Sequence, residues 1–80
     1  MDELIAERIE QWLDEMGELE LISDYTKVQF AAQTDNPPVE AFAIIPMGNG
    51  DRFCNSYSQF CKEIGIEYFA MQFGGVIYIR

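Results

Sequence analysis

The chain contains no histidine. That removes the side chain that most often serves as general base near neutral pH, and the commonest metal ligand. Basic residues are scarce as well: 5 Lys and Arg stand against 14 Asp and Glu, giving a net charge of −9. Such a balance repels phosphates and argues against direct binding to DNA, RNA or anionic lipid heads. No long apolar run follows the acidic start Met1-Asp2-Glu3. A secretory signal or a membrane span is therefore not expected, and the protein is expected in the cytoplasm. There are two cysteines, Cys54 and Cys61, seven residues apart in a stretch that reads as helix. Two helical turns separate Cα atoms by roughly 10 Å, beyond the roughly 7 Å that a disulfide spans. Both are expected to be reduced, small core residues; a metal pair would lack two further ligands, and no metal or cofactor is expected.

What is present is apolar and aromatic. Hydrophobic residues make up 49% of the 80, far more than a disordered tail carries, so one domain with a packed core is expected over residues 1–80. Ile5, Ile9, Trp12, Leu13 and Met16 recur at helical spacing and predict a first helix from Asp2 to Met16, capped by Asp2 and stopped by Gly17. Glu18–Ser23 alternates and predicts a strand with Leu19 and Leu21 inward. Asp24-Tyr25 predicts a turn, and Thr26–Gln33 a second strand with Val28 and Phe30 on one face. Thr34–Pro38 holds two prolines and reads as loop. Val39–Ile45, apolar on both faces apart from Glu40, predicts a central strand.

Pro46–Gly50 breaks that strand. Asp51 is then expected to cap a second helix, Arg52–Ile64, striped by Phe53, Tyr57, Phe60, Cys61 and Ile64. Gly65 ends it. Ile66–Phe73 and Val76–Arg80 predict two strands joined at Gly74-Gly75, a pair suited to a tight hairpin turn. The expected class is α+β: a small single-layer antiparallel sheet with two helices, in the order α-β-β-β-α-β-β.

The charge is concentrated at one end. Residues 1–20 hold eight acids and one base, −7 of the −9, and residues 41–80 are neutral. Glu3, Glu7, Glu10 and Asp14 follow i, i+4, i+7, i+11 spacing and form one ridge, roughly opposite the apolar stripe. Like charges so placed weaken a helix by about 0.2–0.5 kcal/mol per pair. Asp14 and Glu15 also lie at the end that the helix dipole disfavours for acids. Two readings compete: a solvated face that keeps a small protein soluble, and an anionic ridge that occupies a basic groove meant for nucleic acid. On the second reading Glu3, Glu7, Glu10 and Asp14 make the contact, Glu18 and Glu20 extend it, and Tyr25 or Tyr78 adds aromatic anchoring.

The last hairpin is apolar on both sides. With Gly74-Gly75 as the turn, Phe69, Met71, Phe73, Val76 and Tyr78 share one face, and Tyr68, Ala70, Ile77 and Ile79 share the other with Gln72. If both helices lie on one side of the sheet, the Met71/Phe73 face is left as an interface for a homodimer or a protein partner. If they lie on opposite sides, nothing is exposed. A further arrangement puts Val76–Ile79 at a sheet edge, pairing across a two-fold axis.

Catalytic patterns are thin. The cysteines and Ser56 and Ser58 have no histidine to activate them, and nothing singles out two carboxylates for glycoside chemistry. Pro46-Met47-Gly48-Asn49-Gly50, lying between a strand and a helix, is similar to the phosphate-cradling loop of the GNAT acetyltransferases. That family's loop reads Arg/Gln-x-x-Gly-x-Gly/Ala. The resemblance spans about 30 residues and implies acetyl-coenzyme A binding. Here Ile45 stands where the basic or amide residue belongs, and Asp51 brings a negative charge to the pyrophosphate position.

The leading expectation is a non-enzymatic acidic binding protein, an inhibitor or regulator that occupies a basic groove on a nucleic-acid-handling protein. In composition it resembles small phage-encoded anti-CRISPR and anti-restriction proteins, which act in the host cytoplasm. The alternatives are a self-associating structural or assembly accessory protein, and a reduced acetyl-coenzyme A binder of the GNAT kind.

Overall fold

The computed structural model describes residues 3–30 and 39–79. Two helices and a four-stranded antiparallel sheet follow one another as α1 (Glu3–Glu18), β1 (Ile22–Phe30), β2 (Val39–Pro46), α2 (Asp51–Ile64), β3 (Ala70–Phe73) and β4 (Val76–Ile79). The strands lie in the order β1-β2-β4-β3. This is the small α+β sandwich anticipated, with one strand fewer. The expected Asp2 cap, the strand residues 31–33, the loop Thr34–Pro38 and the final residue Arg80 lie outside the described residues.

The missing strand is accounted for at the end of α1. The helix runs through Gly17 to Glu18, and the chain then reverses on Glu20, which sits in the left-handed region at φ 61°. The Glu20 N–H donates to the Gly17 carbonyl and the Leu21 N–H to the Met16 carbonyl, the paired bonds of a Schellman ending. Left-handed backbone costs a non-glycine residue about 1–2 kcal/mol. Burying a leucine returns about 1.5–3 kcal/mol, and Leu21 joins Met16 in the core. The long-range contact thus outweighs the local preference for Gly17. Leu19, expected inward, lies in the turn and is 60% exposed.

Asp24 and Tyr25 also depart from expectation. They do not turn the chain; they lie within β1, where the register slips between Ile22 and Asp24. The Asp24 carboxylate accepts the Tyr25 N–H at 2.8 Å, a local bond at the bulge. The ladder carries on past it, with the Met47 N–H donating to the Leu21 carbonyl.

β2 is interior, between β1 and β4, as its two-sided apolar pattern implied. The Gly74-Gly75 turn pairs Phe73 with Val76 and Met71 with Tyr78. β4 pairs on its other side with β2, so Val76–Ile79 is not a sheet edge; the edges are β1 and β3.

Both helices cover one side of the sheet. Phe42 and Ile44 of β2 sit opposite Ile79 and Ile77 of β4. All four are buried in one cluster with Ile9, Leu13 and Met16 of α1 and Phe53, Tyr57 and Phe60 of α2. Trp12 ties the helices together: its ring stacks on Phe60 at 4.8 Å and meets Phe53 and Tyr57 at 5.4 and 5.5 Å. Cys61 is buried, Cys54 is half-buried, and both thiols are free.

Candidate functional site

The acidic ridge is built by α1 but completed by β1. Alternation places Tyr25 and Lys27 on the helix-covered side of the sheet, opposite Ile44 and Phe42. From there they meet the flank of α1. The Tyr25 hydroxyl donates to Asp14 Oδ1 at 2.7 Å, and Lys27 Nζ stands 5.9 Å from the centre of the Phe42 ring. Glu3, Glu7 and Glu10 line a shallow hollow of about 350 Å³ together with Ala6, Lys27 and Glu40. The ridge therefore runs beside the edge strand, on the flank of the apolar face, instead of opposite it.

Five of the six acids expected to contact a partner are exposed, Glu3, Glu7, Asp14, Glu18 and Glu20; Glu10 is half-buried. They do not play equal parts. Asp14 is engaged by Tyr25, whose phenol is pushed up to about 12 by that hydrogen bond first, then by desolvation and by the negative charges of Asp14, Glu10 and Asp24. Tyr25, expected as a free aromatic anchor, thus has an internal partner. Glu18 ends the helix and Glu20 follows in the turn, and no base lies in the last turn of α1.

The residues expected to form an oligomer interface fall on the side of the sheet away from the helices where they lie in strands; Ala41, which alternation puts on that side, is buried. Met71 and Phe73 are 44% and 74% exposed, and Val76 and Tyr78 are half-buried. Phe69 precedes β3 and is half-buried. Alternation sets Val28, Ala43 and Ile45 on that same side, Ile45 being 48% exposed. The sequence already sets Ala41, Ala43 and Ile45 on one apolar face of their strand, opposite Phe42 and Ile44; which of the two faces the helices take could not be read from spacing.

The Gly48-Asn49-Gly50 loop is accounted for by packing. The Asp51 N–H donates to Asn49 Oδ1, so Asn49 supplies the local cap expected of Asp51, which is itself the first helical residue. Gly50 is buried at φ 85°, and a Cβ there would come within 2.8 Å of Ile77 Cδ1. The adjoining cleft, about 370 Å³, is lined by Pro46, Gly48, Asn49, Gln72, Phe73, Gly74, Gly75 and Ile77, with no cation among them.

A sulfur and phenol cluster lies under α2. The Tyr57 hydroxyl is buried without a hydrogen-bond partner. Burial pushes its phenol well up, with Cys61 adding to the effect. Cys61 influences that titration yet makes no hydrogen bond of ordinary geometry with it. Burial also raises the Cys61 thiol, which lowers the thiolate fraction and with it nucleophilicity. Tyr68 is raised too, by burial first and then by Cys54. Among the described residues no group of three or more His, Cys, Asp or Glu is placed to hold a metal ion. Nor is any helix among them long and apolar enough to cross a membrane.

No protein-family model matches the chain, and neither a curated protein nor a solved structure matches it.

Proposed function

We propose that this chain is a non-enzymatic binding protein whose acidic α1 flank docks on a basic surface of a nucleic-acid-handling protein, taking the place of nucleic acid. One observation carries the reading. Asp14, Glu15, Glu18 and Glu20 crowd the C-terminal end of α1, exposed and with no base in its last turn. Acids there oppose the helix dipole by about 0.3–1 kcal/mol each, and Glu20 adds left-handed strain. A solubilising face would serve as well with its acids at the other end. Carboxylates one turn apart stand about 5–6 Å from each other, comparable with phosphates along a nucleic-acid strand.

The test uses the immobilised protein in a cell lysate. Retained proteins should be nucleic-acid-binding, should elute with salt, and should be displaced by added duplex DNA. The variant Glu7→Lys/Glu10→Lys/Glu18→Lys, which spares the Asp14–Tyr25 bond, should lose them while keeping its circular dichroism. Capture that survives both DNA and charge reversal would reject the reading.

A further inference from the structure

We draw no further inference here: the strongest candidate, the groove between α1 and α2 that is lined by Trp12 and Phe60 and rimmed by Arg8, Gln11, Glu15 and Glu63, carries nothing, because both rings are buried within the protein's own core and nothing in the structure shows what covers it.

Discussion

The phenol of Tyr25 in β1 donates a 2.7 Å hydrogen bond to the carboxylate of Asp14 in α1, clipping the edge strand to the acidic flank of the helix. The raised Tyr25 phenol, at about 12, follows from that bond. Folding therefore favours the protonated phenol, whose ordinary value is near 10. The stability it contributes is fully present below pH 10 and is lost as pH climbs toward 12. Tyr25→Phe should cost about 0.5–1 kcal/mol, since the bond is exposed to solvent. The gap between wild type and variant, followed by urea denaturation, should be constant up to about pH 10 and close by about pH 12. A gap that persists there would mean that ring packing, not the hydroxyl, holds the clip.

Glu20 should be improvable. Glycine adopts its left-handed conformation without the clash of a Cβ, and the change removes an acid from the helix end. Glu20→Gly should raise the urea midpoint, by about 1 kcal/mol at constant slope. A fall would show that the Glu20 side chain makes a stabilising contact of its own.

The two loop glycines should separate conformational strain from crowding. Both have positive φ, but a Cβ at Gly48 meets nothing within 4 Å, whereas one at Gly50 strikes Ile77. Gly48→Ala should cost about 1–2 kcal/mol from backbone strain alone. Gly50→Ala should cost about 2–4 kcal/mol once overpacking is added. Equal shifts in thermal midpoint would mean that Ile77 yields freely.

Tyr57→Phe should be neutral or stabilising by up to about 1 kcal/mol, because it removes a buried hydroxyl that has no partner. Thermal unfolding decides the sign. A loss larger than about 1 kcal/mol would reveal a hydrogen bond to the Cys61 sulfur or to an internal water.

Much of the architecture was legible because it is periodic or local. Ile9, Trp12, Leu13 and Met16, and Phe53, Tyr57, Phe60 and Cys61, show their buried faces by spacing alone. Gly74-Gly75 set the register of the last hairpin to the residue. What was not legible depended on distant partners. Glu18–Ser23 alternates like a strand, yet the helix extends into it, since Leu21 reaches the core only if the chain reverses at Glu20. The turn expected at Asp24-Tyr25 is absent; the two residues lie within β1, where the register slips by a bulge. The acidic ridge was visible as a helical row. That Tyr25 and Lys27 would stand against it could not be read from spacing, because it depends on which side of the sheet the helices take. The same choice determines whether Ile45 and Phe73 are buried or bare.

β4 has a strand on each side, and its two neighbours, β2 and β3, do not bond to each other. The β1–β2 hairpin and the α2–β3 segment are therefore joined into one sheet by four residues alone. Phe42 waits for Ile79 across the whole of α2 and the glycine turn. A contact closed over so long a span is slow to find. Assembly should hinge on the arrival of this keystone, and a lesion at Ile77 or Ile79 should lower the stability of the whole molecule instead of loosening one corner, because both side chains stand in the one core that α1 and α2 share.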